Sequence, residues 1–181
     1  YALRAANMLV GNDEGAACLE AVFLGPVIEF TEDATVAVTG ATLPIKVDGD
    51  YKEPWTSFTV KAGQTLSFEF LKAGARIYIA ISGGITTPIA LGSRSTYPIG
   101  ALGGIEGRAI KAGDELPTGG SQGPGDGRSV PDALRRTPEN PARLRVLPGL
   151  YWHRLTEAAG AGFFEDEWTV APEADRMGYR F

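Results

Sequence analysis

Hydrophobic residues recur along this chain with two different periods. Over residues 2–12, Ala, Leu and Met stand at the spacing of one helix face, and Gly11-Asn12 ends that pattern. From Glu20 to about Ile81 the period falls towards two, in short runs separated by Gly, Pro or Asp. Seven of these runs predict strands: AVFLG, VIEF, ATVAVTG, LPIKV, FTVKAG, TLSFEF and ARIYIAIS.

These predicted strands are short and have no helices between them. Asp48-Gly49 lies between IKV and DYK and predicts a hairpin, because a tight two-residue turn needs positive φ angles. Short strands at this density are typical of an antiparallel barrel or sandwich. We therefore expect residues 19–116 to form one barrel. Its core should include four inward-facing residues: Val36, Val38, Ile79 and Ile81.

A polar segment separates this region from the end of the chain. Residues 118–142 are rich in Gly, Pro, Ser and charged residues, which is typical of a flexible connector. After it, RLRVLPG predicts a strand, LYWHRLTEAAG a helix that ends at Gly160, and EWTVAPEADRMGYRF extended chain. We expect a β-rich region over 1–117, the connector over 118–142, and the start of a second β-rich region over 143–181. That second region is expected to be truncated and flanking segments to be missing, because the chain begins within a helical pattern and stops in a strand-like run.

Composition and charge exclude several classes of function. The 181 residues are 44% hydrophobic and 22% charged, which is the usual mixture of a globular protein. A net charge of −5 argues against a nucleic-acid or anionic-membrane partner. No apolar run approaches the ~20 residues of a membrane-spanning helix. The single cysteine, Cys18, excludes an internal disulfide. We expect a cytoplasmic protein that binds neither nucleic acid nor membranes.

Familiar catalytic motifs are missing or stand in the wrong context. GGSQG at 119–123 matches the nucleophile-elbow pattern around Ser121, but the flanking prolines exclude the strand before it and the helix after it. The sole histidine, His153, is the one available base, and no spacing of ligand residues predicts a metal site. The chain has no P-loop. No lysine stands beside Met177, so no covalently bound biotin is expected on this chain.

The strongest candidate for a binding site lies between residues 83 and 116. A strand runs into a pair of glycines, where the backbone can approach a ligand closely. An arginine followed by three hydroxyl side chains suits carboxylate, carbonyl or phosphate oxygens. The alternative is an arginine that holds a loop together through backbone carbonyls. The candidate substrate-binding residues are Gly83, Gly84, Arg94, Ser95, Thr96, Tyr97 and Arg108. The catalytic residues are not identified.

Seven segments carry a family resemblance: LRAANMLVGN, LEAVFLGPVIEF, VAVTGA, ARIYIAISGGI…P…LGSRSTY, LGGIEGRAIKAGDEL, LRVLPG and DRMGYRF. In this order and spacing, they resemble the carboxyltransferase-domain family. That family includes allophanate hydrolase subunit 2, the C subunit of 5-oxoprolinase and part of the carboxyltransferase region of urea carboxylase. The resemblance covers nearly all of the chain except the connector.

This resemblance implies a cyclophilin-like β-barrel with a few short helices, in agreement with the strand pattern. It also implies a partner, which resembles allophanate hydrolase subunit 1 or the B subunit of 5-oxoprolinase, and a third subunit. Together they would form an ATP-dependent enzyme that cleaves a small amide or lactam, the complex using ATP and the isolated chain being inactive. The alternative is a non-catalytic regulatory protein that antagonises a kinase inhibitor resembling subunit 1.

Overall fold

The computed structural model describes residues 1–120, 125–136, 141–173 and 178–181. Ser121 and Met177, discussed above, therefore lie outside the described residues. The chain divides into two units, Tyr1–Ala142 and Arg143–Phe181. The α-helices and β-strands of the described residues are α1 (Ala2–Leu9), β1 (Leu19–Val22), β2 (Ile28–Glu29), β3 (Ala34–Thr42), β4 (Ile45–Val47), β5 (Asp50–Lys52), β6 (Ser57–Val60), β7 (Thr65–Phe68), β8 (Ala73–Ile81) and α2 (Glu157–Glu165).

Two four-stranded antiparallel sheets make up the first unit. One sheet has the strand order β1-β8-β3-β6 and the other has the order β2-β7-β4-β5. Side chains from both sheets meet in one core, which contains Val36 and Ile79 from the first sheet and Ile45 and Leu66 from the second. The prediction of a mainly β fold is confirmed, and the predicted barrel consists of these two sheets around a shared core.

The long strands β3 and β8 form the centre of the first sheet. Val36 lies opposite Ile81 and Val38 opposite Ile79, and all four side chains are buried, as the sequence predicted. The intervening Ala37 and Ala80 point to the other face, where they pack against α1. Alanine at these two positions leaves room for the helix, which is why β3 is buried on both faces.

The hairpin predicted at Asp48-Gly49 is confirmed. It joins β4 to β5, with Val47 opposite Asp50. Both turn residues have positive φ angles, 49° at Asp48 and 92° at Gly49. The Asp48 carboxylate also accepts a hydrogen bond from the backbone N–H of Thr65 at 2.9 Å, which ties the turn to β7.

Strand structure ends earlier than the sequence predicted. The last strand stops at Ile81, and residues 82–116, which the sequence placed in the barrel, form turns, isolated bridges and a 3-10 helix at Pro98–Gly100. Closely spaced glycines interrupt any regular pairing there. Ile85 and Leu116 nevertheless pack against the shared core, so this long loop is anchored at both ends.

Residues 125–136, which the sequence assigned to the connector, belong to the first unit and pack against its strands and helix. The Ser57 N–H donates to the Arg128 carbonyl at 2.7 Å, and the Val130 N–H donates to the Trp55 carbonyl at 2.9 Å. The Arg128 guanidinium donates to the Met8 carbonyl at 2.8 Å. These bonds cover the outer edge of β6 and satisfy a carbonyl at the end of α1.

The second unit is mostly irregular and contains a 3-10 helix, Trp152–Arg154, before α2. The helix predicted to end at Gly160 instead begins after Thr156, whose hydroxyl accepts the Ala159 N–H at 3.2 Å as an N-cap. RLRVLPG, predicted as a strand, forms no regular secondary structure in the described residues. That residues 143–181 begin a second β-rich region stays a prediction. No helix in the described part of the chain has the length and apolar character needed to cross a bilayer.

Candidate functional site

The first pair of candidate residues, Gly83-Gly84, forms a turn directly after β8. Both residues are in the left-handed region, with φ angles of 86° and 69°. A Cβ atom on Gly83 would clash with the Gly120 carbonyl oxygen and would lie 2.8 Å from the carbonyl carbon of Gly119. The Gly119 N–H donates to the Gly84 carbonyl at 3.0 Å. The close approach that these glycines permit is therefore made here by the chain's own backbone.

Two asparagines that sequence reasoning missed hold this turn. Asn12 accepts the Gly83 N–H at 2.8 Å and donates to the Ile81 carbonyl at 2.9 Å. It also donates to the amide oxygen of Asn7 at 3.1 Å. Asn7 is fully buried and donates to the Ala16 carbonyl at 2.8 Å. The sequence signal for this contact was Asn7, a polar residue on the buried face of the amphipathic helix α1. A buried amide is almost always hydrogen-bonded, so a partner for Asn7 could have been expected.

Arg94 is half-buried and links its own loop to Thr87, which lies seven residues earlier in the chain. Its Nη1 donates to the carbonyl of Thr87, a buried residue. Within the described residues, this is the one hydrogen bond of its guanidinium, which carries five N–H donors. Arg94 therefore contributes to the loop's structure and still has donors for a carboxylate or carbonyl oxygen.

The three hydroxyl residues after Arg94 are exposed and belong to a loop that packs on itself. The Tyr97 N–H donates to the Leu102 carbonyl at 2.8 Å, and the Leu102 N–H returns a bond to the Tyr97 carbonyl at 3.2 Å. A Cβ atom on Gly103 would clash with the Ser95 carbonyl oxygen, and one on Gly104 would clash with the Thr96 hydroxyl. Glycine is required at both positions because the two arms of the loop touch.

Arg108, the second arginine, is paired with two acidic residues. Its Nη1 and Nη2 donate to the Asp114 carboxylate at 2.7 and 2.9 Å, and its Nε donates to Glu106 at 3.0 Å. The Asp114 carboxylate also accepts the Lys111 N–H at 2.9 Å. The hydrogen bonds from Arg108, and then the one from Lys111, hold the pKa of Asp114 well below its usual range. The hydrogen bonds to Asp114, and then the one to Glu106, raise the pKa of Arg108. This geometry is that of an arginine that fixes a turn.

The candidate residues thus fall into three hydrogen-bonded groups. One is the Gly83-Gly84 turn with Asn12, another is Arg94 with the adjacent hydroxyl loop, and the third is Arg108 with its acidic partners. No hydrogen bond in the described part of the chain joins one group directly to another. The described residues also contain no group of three or more His, Cys, Asp or Glu residues that could hold a metal ion. Arg94 with its three hydroxyl neighbours is the group best suited to binding a substrate oxygen.

Comparison with known proteins gives a consistent result. The family model described as carboxyltransferase domain, subdomain A and B, matches residues 1–181. The chain is 37% identical over 182 residues to the C subunit of 5-oxoprolinase from Escherichia coli, covering 99% of this chain and 56% of that protein. It is 34% identical to the C subunit of 5-oxoprolinase from Haemophilus influenzae, covering 99% of this chain and 57% of that protein.

Solved structures show the same similarity in three dimensions. The crystal structure of the urea carboxylase of Kluyveromyces lactis matches with a TM-score of 0.83 and 30% sequence identity, covering 99% of this chain and 17% of that chain. The chain spans a little over half the length of the two 5-oxoprolinase C subunits that it matches.

Proposed function

This chain belongs to the family of carboxyltransferase domains, subdomain A and B, and from that premise we propose that it is a subunit of an ATP-dependent enzyme that cleaves a small amide or lactam. The observation that carries the proposal is the identity of 37% and 34% to two C subunits of 5-oxoprolinase, each over 99% of this chain. A protein named as a subunit implies partners. We assign these to a protein resembling allophanate hydrolase subunit 1 or the B subunit of 5-oxoprolinase, and to a third subunit. The relatives described above lend no support to the regulatory alternative.

In this proposal, Arg94 binds an oxygen of the substrate. An amide carbonyl becomes more negative as a nucleophile adds to it, and a guanidinium N–H aimed at that oxygen stabilises the developing charge. The exposed hydroxyls of Ser95, Thr96 and Tyr97 provide further donors beside it. The Gly83-Gly84 turn shapes the neighbouring backbone, and Arg108 holds the second turn of the loop. Cleavage breaks the amide C–N bond and adds the elements of water across it.

The energy for this reaction comes from ATP used by the complex. The sequence contains no P-loop and no nucleophile–base pair in a usable context. We therefore expect the isolated chain to be inactive and the assembled subunits to be active. No covalently bound biotin is expected on these 181 residues.

Reconstitution tests the function directly. The chain is mixed with purified candidate partner subunits, with 5-oxoproline or allophanate as substrate, and both product formation and ATP consumption are measured. We expect turnover of one substrate when partners and ATP are all present, and none when either is omitted. Turnover by the isolated chain contradicts the partner requirement. ATP-independent turnover, or no turnover in any combination, contradicts the proposal.

Variants of Arg94 test its role as a substrate-binding residue. A hydrogen bond to a charged group contributes about 1.5–3 kcal/mol, so Arg94→Ala should lower kcat/KM about 10- to 150-fold. The matched control is Arg4→Ala, which removes an exposed arginine that pairs with Glu14 and should leave kcat/KM unchanged. If Arg94→Ala lowers only the melting temperature, the arginine serves only to hold the Thr87 carbonyl.

A further inference from the structure

An open apolar groove lies where three loops of the first unit meet. It has a volume of about 560 Å³ and is lined by Leu24 from the β1–β2 loop, Pro44 from the β3–β4 loop and residues 68–72 around the β7–β8 loop. Glu69 and Lys72 are the only charged residues in this lining, which we call the Phe70 groove. The groove takes no part in the candidate substrate site described above.

Large apolar side chains stand unusually free in and beside the Phe70 groove. Phe70 is 88% exposed and Leu24 is 61% exposed. In the same β1–β2 loop, Phe23 and Val27 are also exposed. Several large exposed apolar side chains around one groove mark an interaction site in a protein.

Hydrogen bonds and close packing form the groove before any ligand arrives. The Glu69 N–H donates to the Pro44 carbonyl at 3.1 Å, and the Lys72 N–H donates to the Thr42 carbonyl at 2.8 Å. Gly25 lies so close to the Phe68 ring that a side chain there would clash with it. A surface fixed in this way loses little conformational entropy on binding, which favours association.

The groove is complementary to itself in shape and in charge. Phe70 stands almost fully in solvent next to a groove large enough to receive an aromatic ring, so the projection and the hollow lie on one surface. Lys72 is exposed and makes no ion pair within the described residues. Glu69 uses its Oε1 for Lys46 and Tyr51, and 41% of the Glu69 side chain remains exposed to solvent. A two-fold symmetric dimer requires a self-complementary patch, and a cation, an anion, a projection and a hollow on one patch meet that requirement.

We propose that two copies of this chain associate through the Phe70 groove, around a two-fold axis. Each copy inserts Phe70 into the groove of the other, and Lys72 of one copy faces Glu69 of the other. Phe70 and Phe23, which precedes the lining residue Leu24 in the chain, offer on the order of 300 Å² per copy, against about 800 Å² per partner in a standard interface. The dimer is therefore expected to be weak, with a dissociation constant in the micromolar range. This proposal does not depend on the proposed enzymatic function.

Sedimentation velocity of the 181-residue chain between 1 and 200 µM tests the association. We expect a monomer at the lowest concentration and mostly dimer at the highest. Phe70→Glu should weaken the association at least tenfold, because it places a charge in the apolar interface. The matched control is Ile99→Glu, since Ile99 is also a largely exposed apolar residue but lies outside the groove. Circular dichroism confirms that the variants are folded.

Exchanging the charges tests the orientation of the two copies. Lys72→Glu alone should weaken the dimer, and the double variant Lys72→Glu/Glu69→Lys should regain part of the loss. A chain that stays monomeric at 200 µM overturns the proposal, as does a dimer that Phe70→Glu leaves intact. If the wild-type chain is monomeric and Phe70→Glu instead weakens a complex with another protein of the assembly, the groove binds that protein and not a second copy.

Discussion

Replacing Gly83 by alanine should destabilise the first unit more than an equivalent replacement elsewhere. At Gly83 two effects add, because φ is 86° and the new Cβ would meet the backbone of Gly119 and Gly120. Gly63 provides the matched control, since its φ is 82° but no atom lies within 4 Å of the position a Cβ would take. The two substitutions therefore share the backbone strain and differ in the close approach.

The magnitudes follow from these two effects. A left-handed conformation costs an L-residue about 1–2 kcal/mol relative to glycine. Crowding a well-packed position by one methyl group adds about 1–3 kcal/mol. We therefore expect Gly63→Ala to lower the free energy of unfolding by about 1–2 kcal/mol and Gly83→Ala by about 2–5 kcal/mol. Because the clash is with backbone and not with a flexible side chain, it cannot be relieved by a rotamer change.

Urea unfolding followed by Trp55 fluorescence measures this difference. Trp55 is buried in the first unit, and Trp152→Phe and Trp168→Phe in both variants and in the reference protein remove the signals of the second unit. Hydrogen exchange at the Gly119 amide, which donates to the Gly84 carbonyl, should also accelerate more in Gly83→Ala than in Gly63→Ala. Equal losses of stability in the two variants would refute the reasoning that Gly83 is needed for close backbone packing.

Four further measurements test other parts of the structure. Ile79→Ala should lower the free energy of unfolding by about 2–5 kcal/mol, because it leaves a cavity in the core, and Ile79→Val, the matched control, by about 0.5–1.5 kcal/mol. Asn12→Ala should lower the free energy of unfolding by about 1–3 kcal/mol and accelerate hydrogen exchange at the Gly83 amide, which loses its acceptor. Unchanged exchange at that amide would contradict the hydrogen bond from Gly83 to Asn12. Asp114→Asn should lower the melting temperature by an amount that is constant from pH 7 to about pH 4 and shrinks only in stronger acid. The sign follows from the lowered folded-state pKa of Asp114, whose stabilisation is present above the unfolded-state pKa and is lost as the pH falls through the folded-state value. Burial, with a smaller effect of Glu20, raises the pKa of Cys18 to about 11, so alkylation at pH 8 should be about a hundredfold slower in the folded than in the unfolded protein.

Much of the fold could be predicted from the sequence because strand formation here depends on local pattern. The alternation in ATVAV and RIYIAI places Val36, Val38, Ile79 and Ile81 on one face, and that face is buried. The Asp48-Gly49 turn was equally readable, since few other residue pairs tolerate two positive φ angles. The family resemblance rested on motifs of the same local kind, and the comparisons confirmed it.

The candidate site could be predicted only as a set of residue types. A sequence shows that an arginine lies among hydroxyls and glycines, but it does not show which groups those side chains meet. Arg108 meets Asp114 six residues away, whereas Gly83 meets Gly119 and Gly120 from a distant loop. Whether Arg94 binds a substrate stays a prediction, because its partner in this structure is the carbonyl of Thr87.

The physical reason is the distance along the sequence between the residues that specify each feature. Backbone conformation and the choice of buried face depend on residues a few positions apart, so the amino-acid sequence by itself determined the strands, the hairpin and much of the core. Hydrogen bonds such as those of Asn12 to Ile81 and Gly83 depend on chain segments about seventy positions apart, which only the packed tertiary structure brings within 3 Å. The tertiary structure alone therefore decided which arginine is held by two carboxylates and which keeps donors free.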